Sequence, residues 1–479
     1  MPWTLPIRRA RPFALLAPLA LLAACSTQPP YERPALEVPE AFKEGVAGSS
    51  VWQAAQPMDS VPDAWWTLFN DPALDTLQQQ AQDANQNIAL SVARLRAARA
   101  AVGSSRAQLL PTLGANAGAT RARSGTAADG SAVLATNASV GLSAGWELDL
   151  WGRLSGGVDA ARASAQASAD DLAALRLSVQ ATVAQTYFSL RTAEAQGRLL
   201  RETLDAYQRS WDLTRNRYRA GVASSADVAQ AEAQYKSTQA QLIESETSRA
   251  QLEHALAALA GRAPAAFSLP PTAELPPPPP VPAQLPSRLL ERRPDIAAAE
   301  RRVAAANAQV GVARAAFFPS ITLSASAGYR GSSIGNLLSA PNLVWSLGPA
   351  LAASLFDGGA RTAAVESARA AQDQAAATYR QTVITALQEV EDSLVAGAAL
   401  EREQAVQAEA VAAAQRALEV VSNQYRAGTV AYLNVLSAQA TVLSAQRSLI
   451  DVRNRRLAAV TTLLKNVAGR WSAVEQAPG

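Results

Sequence analysis

What most constrains this chain is that it repeats itself. At an offset of 207 or 208 residues, Ala97, Ala98, Ala100, Val102, Gly103, Arg106 and Pro111 match Ala305, Ala306, Ala308, Val310, Gly311, Arg314 and Pro319. Further on, Tyr218-Arg219-Ala220-Gly221 matches Tyr425-Arg426-Ala427-Gly428, and Val228, Ala231 and Leu242 match Val435, Ala438 and Leu449. Whatever unit one half forms, the other half forms again. Each half reads as helix, two strands, long helix, turn and return helix. The segments are a signal over 1–24, an extended stretch over 25–70, a first repeat over 71–263, a connector over 264–286, a second repeat over 287–470 and a tail over 471–479. Ten of the 23 connector positions are Pro, which excludes helix and central strand. Such a run favours an extended strap joining the halves over a fixed distance.

The first helix of each half is marked by its ends. Asp71-Pro72 supplies an N-cap and a Pro at the first helical position, and that helix should end before Pro111. Its counterpart starts near Pro294-Asp295 and ends before Pro319. The long helices run from about Ser155 to Arg219 and from about Gly359 to Arg426. At 1.5 Å per residue, about 65 residues span roughly 98 Å, too long for a compact globule. Apolar or small residues recur at spacings of three and four, as in Leu190, Ala193, Gly197, Leu200, Leu204, Tyr207 and Trp211. This is coiled-coil periodicity. The chain is 49% hydrophobic but only 5% aromatic. Alanine makes up the difference and lets neighbouring helices approach closely.

The strands carry a different period. Over 137–150, Ala138, Val140, Leu142, Ala144, Trp146, Leu148 and Leu150 alternate with small or polar residues. Over 319–330, Ile321, Leu323, Ala325, Ala327 and Tyr329 do the same. Residues 112–122 and 342–356 alternate more weakly, and Pro349 sits awkwardly inside the last. Period two places the two sets on opposite faces. The polar face, mostly Gly, Ser, Thr and Asn, is that of a water-filled lumen, and the apolar face is that of a lipid contact. One chain offers four strands, and an exposed strand edge is not viable in hydrocarbon. Closure therefore requires several subunits: two give a filled eight-stranded barrel, three give twelve strands and an open pore.

The N-terminus reads as an address. Arg8, Arg9 and Arg11 precede an apolar run from Phe13 to Leu22, followed by Ala23, Ala24 and Cys25. Leu22-Ala23-Ala24-Cys25 resembles the bacterial lipobox, in which the Cys becomes the acylated mature N-terminus. Ser26 permits delivery to the outer membrane. Several acyl chains anchor firmly, since each buried methylene contributes about 0.8 kcal/mol. The formal charge of +3 comes from the signal. Without it the chain is neutral, so the basic pI does not point to nucleic acid. One Cys and one His exclude an internal disulfide and any Cys/His metal site. His254 stands alone on a helix, and Glu389, Glu391 and Asp392 read as a solvated helix face. No catalytic constellation or cofactor motif is present, which predicts a protein that is not an enzyme.

Several runs carry a family likeness: Trp65-Trp66-x-x-Phe69-x-Asp71-Pro72, the stretch Leu285-Pro286-Ser287-Arg288-Leu289-Leu290-Glu291-Arg292-Arg293-Pro294-Asp295-Ile296, Asp149-Leu150-Trp151-Gly152, and Phe356-Asp357-Gly358-Gly359. Tyr425-Arg426-Ala427-Gly428 with Val435-Leu436-x-Ala438-Gln439 adds to them. In these the chain resembles the outer-membrane factor family, the TolC-like proteins, and its NodT-type lipoprotein branch. The resemblance implies an α+β membrane protein: a homotrimer whose twelve-stranded β-barrel, four strands per chain, continues into a long periplasmic α-helical barrel. It implies a passive efflux duct for drugs or other toxic compounds, working with a periplasmic adaptor, an inner-membrane pump and outer-membrane lipid, and needing no cofactor or metal. A type I secretion duct or a non-conducting trimeric coiled-coil surface protein are the alternatives. By the same resemblance Asp212 and Glu419 are candidates to ring a closed aperture, although Ser422 stands where a second acid can occur. Each tip turn offers an Arg and a Gly to an adaptor: Arg219 and Gly221, Arg426 and Gly428. Each Gly suits the left-handed end of a helix, and each Arg offsets the C-terminal dipole.

Overall fold

A computed structural model describes residues 27–36, 42–43, 52–54, 64–126, 132–272, 275–279, 281–283 and 293–468. The signal, Cys25, the connector's end over 284–286, the motif residues up to Arg292 and the tail lie outside the described residues. Seven α-helices and six strands are described. The helices are α1 (Pro72–Ala84), α2 (Gln86–Ala107), α3 (Arg153–Arg219), α4 (Ser225–Leu259), α5 (Pro294–Ala315), α6 (Ala360–Arg426) and α7 (Tyr432–Val467). The strands are β1 (Trp52–Ala54), β2 (Thr112–Thr126), β3 (Ala132–Leu148), β4 (Val281–Ala283), β5 (Ser320–Gly331) and β6 (Leu343–Ala352). The chain divides into two compact units. The first takes residues up to 35, 94–168 and 298–379; the second takes 36–93, 169–297 and the rest.

The first unit holds the four-stranded antiparallel sheet, in the order β2-β3-β5-β6. Each repeat contributes one hairpin, and the hairpins meet along β3 and β5. Two repeated aspartates turn strand into helix. Asp149 accepts the Leu154 and Ser155 amides at 2.9 and 2.7 Å, and Asp357 accepts those of Gly359 and Arg361 at 3.0 and 3.1 Å. The family motifs around them are thus N-caps for α3 and α6. Trp151 stacks on Phe318 at 4.9 Å and donates to the Pro319 carbonyl.

Residues 27–33 are sewn onto this unit. The Gln28 side chain lies between Gly156 and Gly311, where a Cβ would stand 1.7 and 2.2 Å from its amide. Only glycine leaves that slot open. Thr27 donates to the Trp151 carbonyl at 2.8 Å, and Asn307 donates to that of Pro29 at 3.1 Å. The Tyr31 hydroxyl donates to buried Glu300, which also receives Arg301. Burial alone would raise the Glu300 pKa, but the bonds from Arg301 and Tyr31 hold it below the usual range.

In the second unit the Trp-Trp-x-x-Phe-x-Asp-Pro run is a plug against α3. Trp65 is fully buried and donates to Gln180, Phe69 meets Phe188 at 4.7 Å, and Tyr187 donates to Asp71 at 2.6 Å. One expectation needs correcting here. The first helix of the first repeat is two helices, broken at Asn85. Its side chain accepts the Asn87 and Ile88 amides and donates to the Leu259 carbonyl at 2.9 Å. An Asn that caps the next helix competes with continuing the last one. The true repeat partners are α2 and α5, each 22 residues long. The connector is partly paired: β4 runs parallel to β1, and Leu269, Pro270 and Thr272 bond to Arg249, Glu253, Arg191 and Glu194.

Candidate functional site

Two regions carry the functional reading, the sheet and the turns between long helices. In the sheet, cross-strand partners share a face. Successive rows run Ile321–Leu351–Leu148, Leu323–Pro349–Trp146, then Ala325–Leu347–Ala144 with Leu113, and Ala327–Trp345–Leu142 with Ala115. Tyr329–Leu343–Val140 with Ala117, and Ala138 with Ala119, complete them. These six rows form one apolar face across all four strands. They cover about 34 Å along the strands, or about 26 Å across a bilayer at a tilt of about 40°. An outer-membrane barrel presents an apolar band about 25 Å tall. Most of the band is uncovered: Leu113 is 75% exposed and Trp345 74%, while Ala138 in the last row is buried. A water-soluble monomer rarely leaves so continuous an apolar patch open.

The opposite face carries Ser143, Ser324, Ser326 and Ser346 with Gly114, Gly141 and Gly328, as the alternation predicts. Pro349, awkward in the sequence, lies on β6, an edge strand within the single subunit, opposite Leu323 of β5. The strands run past the expected bounds at the hairpin end of the first repeat and stop earlier in β6.

The turns lie in the second unit, and the structure brings them together. Gly221 and Gly428 have φ of 77° and 79°. At the first turn the Val222 and Gly221 amides reach the Arg217 and Tyr218 carbonyls; at the second, Thr429 and Gly428 reach Gln424 and Tyr425. Both are Schellman caps, the same solution used twice. Arg217 lies over the Tyr425 ring at 4.8 Å, Tyr425 meets Tyr432 at 5.4 Å, and Ser210 pairs with the Tyr432 hydroxyl at 3.2 Å. Tyr425, Tyr432, Val435 and Ala231 form a small core there. Tyr432 was not marked by its motif, because nothing in its neighbours predicts contact with α3. The halves differ: Tyr425 is buried, while its repeat partner Tyr218 is half exposed.

Asp212 and Glu419 are both exposed. Asp212 pairs with Arg215 at 3.6 Å, and Glu419 makes no ion pair among the described residues. Arg219 and Arg426 are exposed in the last turns of their helices, and Arg426 donates to Asn423. Glu389 departs from a merely solvated face. It accepts Arg293 at 3.0 Å and lies 3.8 Å from Lys465, while Glu391 accepts the Lys43 amide. Arg293 also grips Asp295 and Asn466, so this part of the family motif clamps α5 to α6 and α7. His254 is exposed.

The sequence profile of the outer membrane efflux protein family matches residues 77–262 and 285–469. Over 456 residues the chain is 33% identical to the probable efflux pump outer membrane protein TtgC of Pseudomonas putida, covering 94% of each. It is 34% identical over 477 residues to the pyoverdine export outer membrane protein OpmQ of Pseudomonas aeruginosa, covering 97% of this chain and 98% of that one. The solved structure of the outer-membrane channel OprN matches with a TM-score of 0.85 at 29% identity, over 93% of this chain and 99% of that one. Alike in both repeats, in the sheet and in the paired long helices, this chain belongs to the outer membrane efflux protein family and serves as a channel subunit of the outer membrane.

Proposed function

We propose that three copies join their sheets edge to edge into a twelve-stranded barrel, which forms the outer-membrane part of a passive export duct. The observation that carries this is the uncovered apolar face spanning all four strands, with β2 and β6 as open edges. In hydrocarbon those edges must pair, and the partner with matching geometry is another copy of the same sheet. The long helices extend the duct into the periplasm. There a periplasmic adaptor meets the turns at Arg219–Gly221 and Arg426–Gly428, and an inner-membrane pump drives transport. Cys25 becomes the acylated N-terminus of the mature chain. Small molecules pass without chemistry. Asp212 and Glu419 each form a ring of three acids at the closed aperture, which binds cations and repels anions.

Single-channel recording of the purified protein in planar bilayers tests this. The duct is expected to conduct, and Asp212→Ala and Glu419→Ala to raise its resting conductance or lower its cation preference. Insertion without conductance would instead fit a coiled-coil surface protein. Conducting parent and variants with identical currents would remove the acids from the gate.

A further inference from the structure

The four barrel strands contain four formal charges: Arg121, Arg123, Glu147 and Arg330. Register sorts them between faces. Arg121 stands opposite Thr136 and Arg123 opposite Leu134, in line with the apolar face of Ala119 and Ala138. Both lie beyond the sixth apolar row, where the polar surface of the membrane begins. Glu147 stands opposite Thr322 and Arg330 opposite Ser139, on the polar face. Glu147 is compensated by a two-pronged bond from Arg153, at 2.7 and 2.8 Å. Arg330 is exposed and makes no ion pair with any described residue. Its neighbours across the strands are Ser139 and then Gly118. Among the described strand residues it is therefore the one uncompensated charge on the polar face. It lies next to the last residue of β5, at the hairpin end of the sheet and away from the ends that lead to helices.

We propose that three Arg330 side chains form a cationic ring at the outer mouth of the duct, a specificity-determining site that favours anionic permeants such as organic carboxylates. This rests on the barrel reading above. Twelve strands about 4.8 Å apart, tilted by about 40°, enclose a backbone ring about 24 Å across. An arginine reaching about 6 Å inward stands about 6 Å from the axis, inside the Debye length of about 8 Å at physiological salt. The field of the ring therefore reaches the axis instead of being screened at the wall. Three such charges enrich a monovalent anion there by about fivefold.

Reversal potentials of the full-length protein in planar bilayers under a KCl gradient test the ring. Arg330→Gln is expected to lower the chloride-to-potassium permeability ratio by at least about twofold, and Arg330→Glu to lower it further. Arg330→Lys keeps the charge and should match the parent. Gln on a water-lined wall leaves folding undisturbed, so the proposal stays testable should the Glu variant fail to insert. Conducting Gln and Glu variants with the parent's ratio would overturn the ring, leaving Arg330 as wall hydration only. Arg121→Gln reports on the barrel reading separately. It stands on the outer face of the wall, at the polar surface of the membrane, and should leave the ratio unchanged. A shift from Arg121→Gln with none from Arg330→Gln would mean the faces are inverted, and the barrel reading would fall with the ring.

Discussion

At the scale of single residues, the function depends on a few positions where one side chain decides the local geometry. Gly428 is one. Its φ of 79° closes the cap of a 67-residue helix, and nothing lies within 4 Å of where a Cβ would stand. Space is therefore no obstacle, and the cost of a side chain is conformational. Gly428→Val should destabilise the turn by about 1–2 kcal/mol, because a β-branched residue resists the left-handed region. Assembly is set elsewhere, so trimer yield should hold while adaptor crosslinking and efflux decline in cells. Unchanged efflux would make the turn structural only.

Glu300 gives a pH dependence with a definite sign. Its folded pKa lies below its unfolded value, despite burial, because Arg301 and Tyr31 bond the carboxylate. It therefore stabilises the fold above an unfolded value near 4.3, and that contribution is lost as pH falls through the folded value. Glu300→Gln should lower thermal stability at neutral pH by about 1–3 kcal/mol and flatten the loss below about pH 4. Circular dichroism melts across pH read both effects. Equal acid sensitivity in the parent and the variant would show that another group sets it. The Gly, Pro and Asp signals at these turns were legible in the sequence because local backbone chemistry demands them. Glu300 was not, because its partner Tyr31 lies 269 residues away.

At the scale of elements, periodicity carried most of the information. The alternation over 137–150 and 319–330 placed the right residues on the apolar face, since strand geometry allows only two faces. Helix lengths were legible to within two residues, because the apolar periodicity marks where α3 and α6 begin and the Arg-Ala-Gly turns mark where they end. The break at Asn85 was hidden. A single Asn within a helical pattern is ordinary, and what stops the helix there is the Leu259 carbonyl brought in by tertiary packing. The ion pairs of Arg293 and Glu389 were hidden for the same reason. Short-range spacing says nothing of partners 96 residues apart.

At the scale of the molecule, duplication does in one chain what closure repeats between chains. Two hairpins meet along β3 and β5 within the subunit, and in the proposed barrel β6 of one copy meets β2 of the next by the same antiparallel pairing. The number of copies is not written in either edge. It follows from the pore that twelve strands leave and eight do not. Native mass spectrometry of the detergent-solubilised protein tests that closure most directly, and the subunit mass in the same spectrum reads whether the chain begins at an acylated Cys25. Three copies per particle are expected, with no stable smaller species. A stable monomer would contradict closure, because it would leave both sheet edges open in the apolar phase.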